Sequence, residues 1–309
     1  MKKLSIVVSL PGDNKYLTEQ AAAVEAAAQR LGVDLSLINA HSDAVAQGQQ
    51  LLEIIQAPVS ARPHAIITEP ANELGLPRVA EAAVEAGIGW VISNARVDYL
   101  DALRKKSRAP VFSISQDHEE IGRTQGRQMG ALLPQGGTIL YLRGPATNYL
   151  ASQRMQGLES TVPRNIQLKT LKIQWTQESC YQSVSSWLRL STIRAGELRL
   201  ITSQNTDFVV GARKAFQDQT TGEQRVKWLS VPCTAAGTRN QAKPLVDKGT
   251  LTAAVITSLT MDKALEMLVK ALHTGVQPPD HTVVESHTYP SLEDLERGCA
   301  RKLSSAAAK

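Results

Sequence analysis

The chain has 309 residues, about twice the usual size of one domain, so either one large domain or two medium domains are expected. Hydrophobic residues make up 42% of it and aromatic residues only 4%, which predicts a mainly aliphatic core and favours an α/β protein. No apolar run approaches the roughly 20 residues that a membrane span needs, so direct membrane insertion is not expected. The net charge of +5 is scattered, and the densest basic cluster, Arg104 to Arg108, is expected in a solvated loop. Nucleic acid is therefore not an expected partner.

Strand and helix patterns alternate along the first half of the chain. Residues 4–10 have the pattern of a buried strand, and the alanine-rich residues 15–31 predict a helix that ends at Gly32. Asp43 and Asp117 are predicted helix N-caps. Further strands are predicted at 33–38, 65–68, 89–93 and 111–115, and further helices at 45–56, 76–86 and 117–132.

The same alternation begins again near residue 138. Strands are predicted at 138–142, 166–175, 198–203, 226–231, 251–256 and 281–285, and helices at 149–160, 178–194, 208–217, 237–248, 261–273 and 292–302. About a dozen strands are more than one sheet normally holds. The pattern therefore predicts two doubly wound, parallel-sheet units of the Rossmann-like α/β class.

The segments that follow the predicted strands are polar. Doubly wound sheets bind ligands at the carboxyl ends of their strands, so function is expected in these segments. They include 9–16, 69–72 and 93–96 in the first half, and 143–145, 204–207 and 232–234 in the second. Asn, Asp, Gly and Pro also suit turn geometry, and for any single loop that explanation is the better one. The recurrence at equivalent strand ends is what favours a polar binding site.

Enzyme signatures are missing from the sequence. It contains no GxGxxG after its first strand, no GxxxxGK[ST], no HExxH and no GxSxG, and its three cysteines and six histidines show no metal-ligand spacing. The histidines are expected at surface or loop positions. Glu285 with His287, or Glu69, are the only acid-base candidates for an enzyme, which is the least favoured function. We expect no catalysis and no cofactor.

Several segments of the chain, taken in order, resemble the type I periplasmic sugar-binding proteins, near the ribose-binding branch. They also resemble the effector domain of Lac-repressor-type regulators. The resemblance rests on Ile6 to Ser9 with the turn at 13–16, on Ala65 to Pro70, on Asp117 to Gly126, on Arg154 to Gly157, and on Asn205 with 207–211. It implies two discontinuous domains, 1–115 with 259–284 and 116–258 with 285–309. It also implies a three-strand hinge whose crossings lie near Ser115, Ser258 and Glu285, and closure of both lobes on a solute.

The resemblance also implies a ligand site. Its predicted members are Asp13, Tyr16, Glu69, Asn94, Gln116, Arg154, Asn205 and Ser258. Tyr16 or Trp175 is a candidate for stacking on the solute, although Trp175 equally suits the core. The family's Asp-Arg pair falls at Asn94-Ala95, the Asp of its G-F-D motif near Pro232, and its glutamine near Ser258. A standard pentose or hexose is therefore not assumed.

Two functions follow from the resemblance. The first is a solute-binding protein that delivers a small polar, sugar-like molecule to an ABC-transporter permease or a membrane sensor. The second is the effector-binding domain of a Lac-repressor-type transcriptional regulator that lacks its DNA-binding part, a helix-turn-helix of roughly 50 to 60 residues. The family's transporters are exported, whereas the short apolar stretch before Pro11 and Gly12 is expected to be a strand and not a leader.

Overall fold

The computed structural model describes residues 3–72, 75–190 and 197–307, and no helix in those ranges is both long and apolar enough to cross a membrane. Residues 3–116 form β1 (Ser5–Leu10), α1 (Lys15–Leu31), β2 (Asp34–Asn39), α2 (Ala44–Gln56), β3 (Ala65–Thr68), α3 (Pro77–Glu85), β4 (Gly89–Ser93), α4 (Leu100–Lys106) and β5 (Val111–Gln116).

Residues 117–258 form α5 (His118–Leu132), β6 (Gly137–Arg143), α6 (Tyr149–Glu159), β7 (Ile166–Lys172), α7 (Gln177–Leu190), β8 (Leu198–Ser203), α8 (Thr206–Gln219), α9 (Gly222–Ser230), β9 (Cys233–Thr238), α10 (Arg239–Asp247) and β10 (Ala253–Thr257). The remainder forms α11 (Met261–Thr274), β11 (His281–Val284), β12 (His287–Tyr289) and α12 (Leu292–Ala307). The predicted end of α7 at 191–194 lies outside the described residues.

Two compact units divide the chain. The first contains residues 1–116 and 259–284, and the second contains 117–258 and 285–309, so the chain passes from one to the other after Gln116, Ser258 and Val284. The first unit holds a parallel sheet in the order β11-β5-β4-β3-β1-β2. The second holds the order β12-β10-β9-β8-β6-β7, in which only β12 is antiparallel. The predicted pair of doubly wound sheets is confirmed.

Each sheet is buried on both faces. In the first unit, Ile6 and Val8 of β1 pack with α1 and α11, while Val7 packs with Leu51 of α2 on the opposite face. In the second unit, Leu140 and Leu142 of β6 belong to a cluster that includes Phe208 of α8. Alternate residues of a strand point to opposite faces, so central strands covered by helices on both sides are apolar throughout.

Helix ends follow the local chemistry of the sequence. Asp43 accepts hydrogen bonds from the amides of Val45 and Ala46, and Asp117 accepts one from Glu120, which confirms both predicted caps. Gly32 ends α1 at a φ of 67°, a left-handed conformation that glycine adopts without steric cost.

The strand predicted at 226–231 is wrong, because these residues lie in α9 and its immediate end. The helix turns Trp228 into the core and leaves Val226 exposed. The strand of this region is β9, whose sequence CTAAGT consists of small residues with weak strand propensity. It forms because β8 and β10 pair with it on either side.

The basic cluster was also wrongly expected in a loop. Arg104, Lys105 and Lys106 form the last turn of α4, where positive charge is favoured by the helix dipole. Arg104 donates to the carbonyl oxygens of Val111 and Pro278, and so ties the helix to the start of β5.

Candidate ligand-binding site

Three of the predicted site residues lie side by side in the first unit. Strands β3, β4 and β5 are adjacent and parallel, and Glu69, Asn94 and Gln116 stand at or directly after their carboxyl ends. All three side chains are buried. The carboxyl ends of parallel strands are where doubly wound sheets bind ligands, so this edge of the sheet is the candidate binding surface of the first unit.

Glu69 and Asn94 contact each other directly. The Asn94 Nδ2 donates to Glu69 Oε1 at 3.0 Å. Glu69 is 8% exposed and Asn94 is 4% exposed, and neither Glu69 Oε2 nor Asn94 Oδ1 has a hydrogen-bond partner among the described residues. Burial raises the pKa of Glu69 to about 7, and the hydrogen bond from Asn94 opposes that rise.

A glutamine that sequence reasoning missed holds the Glu69 segment in place. The Nε2 of Gln47, on α2, lies 3.1 Å from Ser9 Oγ and 2.9 Å from the Glu69 carbonyl oxygen. Its Oε1 accepts a hydrogen bond from the Ala71 amide at 2.8 Å. The available signal was a polar residue on the buried face of an amphipathic helix, four positions before the core residue Leu51.

Tyr16 and Gln116 are brought together by a second buried network. Tyr16 Oη lies 3.2 Å from Gln116 Nε2 and 2.6 Å from Gln20 Nε2. Gln20 also accepts from the amides of Thr260 and Met261, at 3.1 Å each, and so joins α1 to the start of α11. Sequence analysis also missed Gln20, which is a polar residue on the buried face of α1, as Gln47 is on α2.

Asp13 is placed differently from the other predicted residues of this unit. It is exposed, and its carboxylate lies 2.6 Å from Asn39 Nδ2 and 2.7 Å from His41 Nδ1, beyond the end of the edge strand β2. Its described contacts therefore serve to join two surface loops.

Arg154 lies on α6 in the second unit. Its Nη1 donates to the Gln204 carbonyl oxygen at 2.5 Å, and its Nε lies 3.4 Å from His118 Nδ1. His118 is buried at the start of α5, so the expectation that every histidine is a surface or loop residue is wrong here. Its neighbour Asp117 is the N-cap of the same helix.

Gln204, directly after β8, is the main polar centre of the second unit. Its Oε1 accepts from the Gly144 amide at 2.9 Å, and its Nε2 donates to Tyr141 Oη and to the Ala151 carbonyl oxygen. It thereby fixes the segment after β6 and the start of α6 to the end of β8. Sequence reasoning noted its loop but did not assign it a role.

Asn205 and Ser258 have structural contacts in the described residues. Asn205 Oδ1 accepts from the Phe208 amide at 2.9 Å and is the N-cap of α8. Ser258 follows β10, and its Oγ donates to the Glu285 carbonyl oxygen at 3.0 Å. Both residues stand at the carboxyl ends of strands in the second sheet, which is the edge where Arg154 also makes its contacts.

The position of β9 corrects the expected location of the segment 232–234, and the packing of Trp175 decides between its two predicted roles. Pro232 precedes this strand, so the segment 232–234 lies at its amino end, not at the carboxyl edge where ligands bind. Thr238 stands at the carboxyl end and is the N-cap of α10. Trp175, the second stacking candidate, packs against the core with its ring 5.6 Å from that of Phe208.

The acid-base candidates Glu285 and His287 belong to the second unit. Glu285 and His287 are both exposed, and Glu285 lies after the end of β11. Within the same ranges, no group of three or more His, Cys, Asp or Glu side chains is arranged to hold a metal ion.

A family model described as a periplasmic binding protein domain matches residues 5–274. The chain belongs to this family. No curated protein matches the chain. Among solved structures, a Mycobacterium smegmatis protein in complex with β-D-fucofuranose has 18% identity and a TM-score of 0.78, with 99% of this chain and 97% of that chain covered.

Two further structures have the same fold. The periplasmic binding component of an arabinose ABC transporter from Shewanella sp. ANA-3 has 20% identity and a TM-score of 0.76, covering 98% of this chain and 97% of that one. The fructose-binding periplasmic domain of a hybrid two-component system has 18% identity and a TM-score of 0.74, covering 99% and 97%. The predicted type I binding-protein fold is confirmed, and the comparisons give no support to the repressor alternative.

Proposed function

We propose that this protein binds a small polar, sugar-like solute and releases it unchanged, as the binding component of an uptake or sensing system. The observation that carries the proposal is the set of buried polar side chains at the carboxyl ends of β3, β4 and β5, where Glu69 and Asn94 keep two acceptor atoms that have no partner in the described part of the chain. Buried polar atoms are costly unless they are paired, so a polar ligand is the natural partner.

The similar structures support this ligand class and suggest two kinds of partner. The M. smegmatis structure holds a furanose, and the other two proteins belong to an ABC transporter and to a two-component sensor. We propose that this chain likewise passes its solute to a permease or signals to a membrane sensor. Arg154, Asn205 and Ser258 of the second unit are proposed to contribute the remaining polar contacts.

Thermal unfolding against a panel of furanoses, pyranoses, polyols and amino-polyols tests the proposal. A ligand present at 100 times its dissociation constant stabilises the folded state by about 2.7 kcal/mol, which is a readily measured rise in Tm. We expect one compound class to raise Tm, and we expect Arg154→Ala to abolish that rise. Arg164→Ala, which removes an exposed arginine before β7, is the matched control and should keep it.

Recovery of the bound compound separates binding from catalysis. We expect its mass and NMR spectrum to be unchanged after long incubation with the protein. A panel in which no compound raises Tm would contradict the proposed function, and conversion of the compound would show an enzyme instead.

A further inference from the structure

The carboxylate of Glu69 is buried in uncharged surroundings. Its described hydrogen bond comes from Asn94 after β4, while the Glu69 backbone is bonded to the Ser9 carbonyl oxygen at the end of β1 and to Gln47 of α2. None of these groups titrates or carries a charge. Burial raises its pKa and the hydrogen bond from Asn94 lowers it, and no cation among the described residues contributes. A buried carboxylate without a positive partner is an unusual and costly arrangement.

The pair is held in a fixed position by its backbone. The Glu69 amide donates to the Ser9 carbonyl oxygen at 3.2 Å, and the Glu69 carbonyl oxygen accepts from Gln47. The Asn94 amide donates to the Ile114 carbonyl oxygen at 2.7 Å, with Asn94 at a φ of 59°. Asparagine tolerates this left-handed conformation better than most residues. The two side chains are therefore preorganised before any ligand arrives.

The two side-chain atoms of this pair that lack partners among the described residues are both acceptors. The hydrogen bond between Asn94 Nδ2 and Glu69 Oε1 leaves Glu69 Oε2 and Asn94 Oδ1 to be satisfied. One hydroxyl group donates a single hydrogen bond and would leave one of these oxygens unpaired. A protonated primary amine has three donors and one positive charge, so it can pair with both oxygens and also neutralise the carboxylate.

We propose that Glu69 and Asn94 form an ammonium subsite, and that the solute is a polyhydroxylated molecule carrying a protonated primary amine. This inference rests on the proposed function and specifies its ligand class. Hydroxyl groups of the solute are bound by the other polar side chains, whereas the amine is bound by this pair.

Matched ligands test the subsite directly. Isothermal titration at pH 8 compares a 1-amino-1-deoxyhexitol with the hexitol that has a hydroxyl at the same carbon, and an amino-furanose with its parent furanose. Charged hydrogen bonds are stronger than neutral ones, so we expect the amine to bind about 30-fold more tightly than its hydroxyl counterpart, a difference of about 2 kcal/mol.

Three variants assign this preference to the pair. Glu69→Gln removes the charge and should reduce the ratio of affinities to about threefold or less. Asn94→Gly keeps the left-handed backbone and removes one acceptor, so the ratio should fall but remain well above one. Glu81→Gln removes an exposed carboxylate from α3 and should leave the ratio unchanged. Circular dichroism and Tm of each variant establish that it is folded.

The titration also reveals the charge of Glu69. Ammonium binding favours the ionised carboxylate, so the amine's affinity should fall as the pH is lowered from 8 to 6, and protons should be released on binding at pH 6. Glu69→Gln should lack this proton release, since the amine is already protonated at pH 6.

The outcomes separate this inference from the proposed function. If neutral polyols or sugars bind as tightly as their amines, or if Glu69→Gln leaves the ratio intact, the ammonium subsite is wrong while solute binding stands. If no compound of either kind binds, the proposed function fails and the subsite fails with it.

Discussion

The two units end their central strands with polar residues, but they use them differently. In the second unit Gln204 makes hydrogen bonds with both of its amide atoms, Asn205 caps a helix and Ser258 joins two chain segments. In the first unit Glu69 and Asn94 each keep a buried acceptor without a partner among the described residues. Position at the carboxyl edge of a sheet therefore does not decide what a polar residue does.

The two units differ in which elements supply the polar side chains that fix their loops and helix starts. In the second unit they fix loops and helix starts, which keeps Arg154 in place through its contact with the Gln204 carbonyl oxygen. In the first unit Gln47 and Gln20 perform that fixing task from helices, which leaves the strand-end side chains available to a ligand. The hydrogen bonds of Gln204 and Asn205 stiffen the second unit, whereas the acceptors of Glu69 and Asn94 remain available for hydrogen bonds from a ligand or water.

The largest effect is expected from removing the costly charge in the first unit. The folded-state pKa of Glu69 is raised to about 7 from an ordinary value of 4.5, so its protonated form is favoured by folding. The resulting stabilisation is complete below pH 4.5 and is lost as the pH rises through 7, which amounts to about 3 kcal/mol. Glu69→Gln lacks this pH dependence. The free energy of unfolding of the variant minus that of wild type should therefore increase by about 3 kcal/mol between pH 4.5 and pH 8.

Urea unfolding across this pH range measures the change. Glu81→Gln, which removes an exposed carboxylate, is the control and should follow wild type at every pH. A constant difference between Glu69→Gln and wild type would show that Glu69 is ionised normally, and the contrast between the two units would disappear.

A smaller loss is expected when the polar centre of the second unit is removed. Gln204→Ala removes the hydrogen bonds that join the Gly144 amide, Tyr141 Oη and the Ala151 carbonyl oxygen, and it leaves the Gly144 amide without this partner, which should cost about 2 kcal/mol. Gln217→Ala, at an exposed position of α8, should change stability by less than about 0.5 kcal/mol. Equal stabilities of the two variants in urea would mean that water replaces the lost bonds and that Gln204 does not stiffen this unit.

Much of the fold was predictable because local signals agreed with one another. The bounds of α1, β3, β4 and β8 match their predictions, since apolar runs, alanine content and glycine stops all favour the same elements. β9 was missed because its small residues carry little strand preference and only the neighbouring strands stabilise it. The local signal was weaker than the tertiary context.

Less of the candidate site could be predicted. The polar residues after β3 and β4 were recognised, yet the contact between Glu69 and Asn94 depends on strand order, which periodicity does not reveal. Gln20, Gln47 and Gln204 were missed because the sequence alone does not show whether a glutamine side chain is buried or exposed. Asn205 shows the same limit, since capping and ligand binding both require a polar side chain at a strand end.

Two substitutions at Asn205 separate these roles and carry the smallest expected effect. Asn205→Ala removes the cap of α8 and should lower stability by about 1 kcal/mol. Asn205→Asp keeps an oxygen for the Phe208 amide and adds a charge that the helix N-terminus favours, so Tm should be retained. If Asn205 also donates to the solute through Nδ2, the aspartate variant should lose affinity while it keeps its stability. Titration of the solute identified by the thermal panel measures this, and unchanged affinity would limit Asn205 to capping and leave Arg154 and Ser258 as the proposed contacts of the second unit.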